Sequence, residues 1–221
     1  MASVAFAATA AEFAVSLERS KEIVVVAPSQ NFIDGSALQL LRAGGGAVAE
    51  ALGRAVAAAM AADCASAEVS GSCVSSLVAT APGGEVLTLT FVPLPDSASR
   101  HYSPTQSMAI SGGLASAGVG GADTTVLIVL RSERDDFGDH IAVRGPAYAV
   151  GPAASAIGRA CPVYSRKTSG SGTPSTVTFG FISTDMPGEL LLGPLATVVA
   201  HQIVNAVRLT ARLGSDLYLN G

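Results

Sequence analysis

Three runs of this sequence limit most of what the chain can become. Val24 to Ala27, Val86 to Val92 and Thr124 to Leu130 are rich in β-branched residues and carry no charge. A strand of that kind is apolar on both faces, so both faces need cover, and helices are the usual cover. The intervening segments supply helical patterns. Ser36 to Arg42 and Ala47 to Ala62 read as helices interrupted by Gly44-Gly45-Gly46, and Pro104 opens another that reaches about Ala117. Pro146 to Ala160 reads as a helix weakened by Gly151 and Pro152. Leu190 to Leu213 is a long helical pattern in which Val199, Ile203, Val207 and Leu209 are expected to form one buried stripe.

Further strands are expected at Cys73 to Thr80, Val163 to Arg166 and Thr176 to Ser183. Val4 to Leu17 reads as an edge strand or a pair of short ones. Pro82-Gly83-Gly84 has hairpin chemistry between Cys73–Thr80 and Val86–Val92, and Pro93-Leu94-Pro95 is expected to stop the latter strand. Strands alternating with helices give an α/β fold. The hairpin makes its sheet mixed, flanked by helices.

Composition narrows the function classes. The chain has 221 residues, near one and a half typical domains of about 150. It is 49% hydrophobic and 14% charged, which a disordered chain is not. Thirteen basic and seventeen acidic side chains leave a net charge of −4 and a pI of about 5.3. So few cations argue against nucleic acid as a partner, because that affinity comes mostly from phosphate neutralisation. No run approaches the 18 or so apolar residues of a membrane span, so no membrane role is expected. Cys64, Cys73 and Cys161 match neither a disulfide framework nor a zinc pattern, and read as reduced thiols. Before Arg19 there is no basic residue to open a secretory signal, and Glu12 and Glu18 argue against a mitochondrial presequence. The expected compartment is the cytoplasm.

Candidate chemistry is sparse. Arg100 and His101 lie between a strand and a helix, where ligands of open α/β sheets gather, and are candidates for anion binding. The competing role is a helix cap or a subunit contact. Asp135-Asp136-Phe137-Gly138-Asp139-His140 has metal-ligand residue types, and helical spacing would place Asp135 with Asp139 and Asp136 with His140. Gly138 weakens such a helix, and a solvated polar loop is the better reading. His201 within the last helix reads as a half-buried, satisfied histidine. The glycine runs at 44–46 and 112–121 contain neither a dinucleotide fingerprint nor a P-loop ending, and no G-x-S-x-G occurs.

Two stretches carry a resemblance. Ser99-Arg100-His101-Tyr102-Ser103-Pro104 precedes a small-residue helix and a buried strand. Later comes Ala156-Ile157-Gly158-Arg159-Ala160-Cys161-Pro162-Val163-Tyr164-Ser165-Arg166-Lys167. In that order they resemble the amino-terminal domain of the leucyl (cytosol) aminopeptidases, most closely the probable aminopeptidase-like branch. Asn205 to Leu213 looks like the helix that leads from that domain towards the catalytic one.

The resemblance implies a macro-domain-like fold over residues 1–188, with 189–221 as the leading helix. It implies a parent activity, removal of amino-terminal residues from peptides. Two divalent metals such as zinc or manganese would be held in a catalytic domain outside this chain. That family continues after the helix with an Asp-x-Pro-x-Asn-Glu segment, where this chain reads Gly214 to Gly221. The family's catalytic lysine has no counterpart at Lys21 or Lys167, so no catalytic or metal-binding residue is carried over, and no cofactor is expected in this chain.

Three roles follow. The first is a non-catalytic domain serving subunit assembly, as a homo-oligomer or within a larger assembly. The second is a structural subunit derived from an aminopeptidase. The third is a macro-like module for ADP-ribose or another nucleotide, against which stands the lack of an Asn-Ala-Ala-Asn segment and a Gly-Gly-Gly-Val loop.

Overall fold

A computed structural model describes residues 2–28, 75–80, 86–95, 106–130, 133–137, 140–144, 146–161, 175–183, 190–191 and 193–220. For 75–80, 86–87, 133–137, 140–144, 146 and 215–220 only the backbone is described. Eight strands are seen: β1 (Ser3–Phe6), β2 (Glu22–Pro28), β3 (Ser75–Thr80), β4 (Val86–Leu94), β5 (Thr124–Leu130), β6 (Glu133–Phe137), β7 (His140–Arg144) and β8 (Thr176–Ser183). The α-helices are α1 (Ala10–Arg19), α2 (Ser107–Ser116), α3 (Val150–Ala160) and α4 (Pro194–Asn220), with a 3-10 turn at Pro146–Ala149 ahead of α3. The expected helices at 36–42 and 47–62, the strand at 163–166 and the turn at 82–84 lie outside the described residues.

The main sheet has the order β1-β8-β5-β2-β4-β3. Its first five strands are parallel, and β3 joins the edge antiparallel to β4. The three charge-free runs form β2, β4 and β5, the middle of this sheet. Register explains why they tolerate no charge. Val25 aligns with Phe91 on one side and Leu127 on the other, and Val24 with Thr90 and Val126. Val24, Val26, Val126, Ile128, Phe179 and Phe181 pack with the side chains of α2, α3 and α4. Ile23, Val25, Leu127, Val129 and Phe91 pack on the opposite face with Phe13 and Leu17 of α1. Every described residue of β2 after Glu22 is buried, and all of β5 is.

Four expectations need correction. Residues 10–19 form a helix, not a strand. Thr9 caps it by accepting from the Glu12 backbone N–H at 3.2 Å, while the Glu12 carboxylate accepts from the Ala8 N–H at 2.8 Å. Phe13 and Leu17, one turn apart, then reach the core together.

The second correction concerns the segment expected to be a polar loop, in which Asp135 to Phe137 and His140 belong to strands. Residues 133–137 pair antiparallel with 140–144, Phe137 opposite His140 and Asp136 opposite Ile141. The helical spacing that would align Asp136 with His140 does not occur. Glu133-Arg134-Asp135-Asp136 resembles no buried strand, which is why its polarity read as loop.

Third, β4 continues through Pro93 to Leu94. Pro93 aligns with Ala27 of β2 in the parallel register, and Leu94 with Pro28. Fourth, the buried stripe of α4 is not the expected one. Ala200, Val204 and Arg208 are buried and Ile203 and Val207 half-buried, whereas Val199 and Leu209 face outward.

Helix α4 seats on small residues. Gly158 of α3 lies so close to it that a β-carbon there would stand 2.8 Å from the Val207 β-carbon and 3.2 Å from the Val204 carbonyl oxygen. Gly180 of β8 plays the same part for α1, with the Phe13 ring in the space a side chain would take.

Candidate functional site

In parallel sheets, binding sites form beyond the carboxyl ends of the strands, where neighbouring strands send their connections in opposite directions. Here β2 and β5 are such neighbours. From β2 the chain continues to β3 and β4 on one side, and from β5 it continues to β8 on the other. The switch point of the sheet therefore falls between the carboxyl ends of β2 and β5, next to the end of β4.

The segment carrying Arg100 and His101 leaves the sheet at that end of β4 and returns at α2. Both residues lie outside the described residues, so the structure does not place them. Its two feet are placed. The Gln106 side-chain amide donates to the Pro95 carbonyl at 2.5 Å, and the Gln106 carbonyl accepts from the Ile110 N–H at 2.9 Å. Gln106 itself is left-handed, with φ 49° and ψ 28°. A non-glycine residue there stores about 1–3 kcal/mol of strain, so the closure is held by its surroundings.

The amino ends of the strands carry a second polar set. The Thr176 N–H donates to the Asp123 carboxylate at 2.8 Å, and the Ser175 hydroxyl donates to the Gly120 carbonyl at 2.8 Å. The Ser20 and Thr125 hydroxyls are 2.6 Å apart. The Thr124 hydroxyl is 3.2 Å from the Glu22 carboxylate and 2.9 Å from the Ala122 carbonyl. Burial pushes the Glu22 carboxyl above its ordinary range, partly offset by the Thr124 hydrogen bond. These bonds knit the sheet's lower edge.

Nearby is a buried charge that sequence reading missed. Arg208 of α4 is only 8% exposed. Its Nη2 donates to the Ala2 carbonyl at 2.8 Å, while Nε is buried without a partner. Cys161, at the end of α3, is buried too. Burial raises its thiol to about 11, opposed by the Arg208 charge, and burial lowers the Arg208 guanidinium. At neutral pH the sulfur is therefore a thiol, a poor nucleophile. Arg208, in the middle of α4, ties that helix to the chain ahead of β1. His201 is half-buried, its ring edge-on to Phe6 at 4.9 Å.

Among the described residues, no group of three or more His, Cys, Asp or Glu side chains could hold a metal ion, and no helix is long and apolar enough to cross a membrane. What α4 does present is apolar surface. Leu195 is 80% exposed, and Val198, Val199, Leu209 and Leu213 are each more than half exposed.

No protein-family model matches the chain, and no curated protein does. Solved structures of leucyl aminopeptidases are similar to it. The apo leucyl aminopeptidase of Trypanosoma brucei shares 19% identity over 89% of this chain and 35% of its own, with TM-score 0.49. The leucine aminopeptidase of Caenorhabditis elegans shares 13% over 86% of this chain and 32% of its own, with TM-score 0.48. The leucyl aminopeptidase of Leishmania major, in complex with actinonin, shares 18% over 80% of this chain and 29% of its own, with TM-score 0.46. The chain spans about a third of the length of these structures.

Proposed function

We propose that this chain is a non-catalytic α/β module of leucyl-aminopeptidase type that works through contacts with other protein surface. The observation that carries the reading is the apolar outer face of α4. Five large aliphatic side chains stand in solvent along one helix, three of them (Leu195, Val198 and Val199) in the stretch 194–207, which contains no Asp, Glu, Lys or Arg. Exposed apolar surface of that continuity marks an interaction site. The sequence resemblance to the amino-terminal domain of the aminopeptidases supplies the context, assembly beside a catalytic domain. Arg100 and His101 would contribute in a contact or in anion binding.

Activating water at neutral pH requires a metal held by several ligands with one position open. The described residues offer no such set. The purified chain, incubated with leucine-amide and zinc, manganese or magnesium, is expected to show no turnover. Hydrolysis that survives further purification would overturn the reading.

A further inference from the structure

The spacing of the exposed side chains on α4 is more specific than a greasy patch. Leu195, Val199, Gln202, Ala206, Leu209 and Leu213 are all exposed and follow one another at intervals of four, three, four, three and four residues. That is the 3.5-residue period of a coiled-coil seam, a stripe narrower than the one a helix turns towards a globular core. Helix α4 thus has two apolar faces. One is seated on α3 and the sheet through Ala200, Val204 and Val207. The other has the pattern that another helix reads.

We infer that the other helix is α4 of a second copy of this chain, packed antiparallel about a twofold axis level with Val204. This rests on the reading of the chain as an assembly module. A twofold interface requires that whenever residue i meets j, j meets i. The seam meets that condition about Val204. Leu195 falls opposite Leu213, Val199 opposite Leu209, and Gln202 opposite Ala206. Each layer then joins two aliphatic side chains or sets the long polar Gln202 over the small Ala206. A polar seam residue of this kind fixes register at some cost in affinity.

Charge does not oppose the pairing. Between Leu195 and Leu213 the residues flanking the seam are Ala196, Val198, Ile203, Asn205, Thr210 and Arg212. Arg212 falls opposite Val198 of the second copy, so no like charges meet. Antiparallel helices also oppose their dipoles favourably.

Area sets the strength. From Leu195 to Leu213 the seam is about 27 Å long. The five large side chains expose together about three full side chains of surface, roughly 300 Å² per copy and 600 Å² per pair. Standard stable interfaces bury more than about 1,200 Å². The dimer is therefore weak and concentration-dependent, a contact that a larger assembly or a high local concentration would reinforce.

The test uses the full chain. Under mild oxidation, a mixture of the Gln202→Cys chain and the Ala206→Cys chain should cross-link through a 202–206 bridge, identified by the mass of the joined peptides. Gln202→Cys alone should not cross-link through position 202. A 202–202 bridge in the single variant would overturn the antiparallel register. In sedimentation, Leu209→Asp and, separately, Leu213→Asp should weaken self-association at least tenfold, since symmetry makes each substitution count twice. Both sites are exposed, and unchanged circular dichroism checks that folding is intact. Self-association that ignores both substitutions, or a chain monomeric at every concentration, overturns the pairing. Turnover in the hydrolysis assay would instead sink the non-catalytic reading and leave the pairing standing.

Discussion

Adding one methyl group at Gly158 should separate α3 from α4. A β-carbon at that position would lie 2.8 Å from the Val207 β-carbon, 3.0 Å from its Cγ1 and 3.2 Å from the Val204 carbonyl oxygen. Carbon atoms settle at roughly 3.5–4.0 Å, so the helices would have to part by about 0.8 Å. Two of the three obstructing atoms are fixed to the α4 backbone, and no rotamer change removes them. Overpacking of this kind costs about 1–3 kcal/mol, here in the upper half of that range. Alanine recovers about 1 kcal/mol through its better helix propensity. Gly158→Ala should therefore destabilise the fold by about 1–2 kcal/mol.

Gly151 of the same helix is the internal control. Its β-carbon would meet Ile203 Cδ1 at 3.9 Å, an ordinary contact. Gly151→Ala should be neutral or stabilising by up to about 1 kcal/mol. Urea unfolding followed by circular dichroism reads both midpoints. If both alanine variants gain stability equally, the close seating of α4 on Gly158 is wrong.

The other predictions are simpler. Gly180→Ala should cost about 1–3 kcal/mol, because its β-carbon would lie 2.6 Å from the Phe13 ring, and Phe13→Leu in the same chain should recover part of the loss in a double-mutant cycle. Thr9→Ala should cost about 1 kcal/mol in a thermal melt, from the lost cap of α1. The buried Cys161 thiol, held near 11, keeps its full contribution to stability below its ordinary value of 9.0. That contribution is lost as pH rises through about 11, by about 3 kcal/mol in all, and Cys161→Ala should flatten the alkaline limb of the profile. Arg100→Ala with His101→Ala should leave unfolding unchanged while weakening assembly or anion binding; a double variant that unfolds would make both residues struts.

The centre of the sheet was legible because β2, β4 and β5 are buried on both faces, and only charge-free β-branched runs satisfy that environment. Helix α1 was misread although its signals were present: Thr9 followed by Glu12, then Phe13 and Leu17 one turn apart. The alanines around them fit either period. Hydrophobicity alone could not choose between the two apolar faces of α4. The choice is made at Gly158, which admits Val204 and Val207 and leaves Val199, Leu209 and Leu213 outside. Arg208 on the buried side is visible only once Ala2 and Cys161 are seen beside it. The β6–β7 hairpin was hidden by its polarity.

The mass of the native particle, measured from low to high micromolar concentration, tests the account most directly. A chain whose α4 pairs with α4 of a second copy should pass from 22.0 kDa to twice that mass as concentration rises. A single species of 22.0 kDa at every concentration would contradict it.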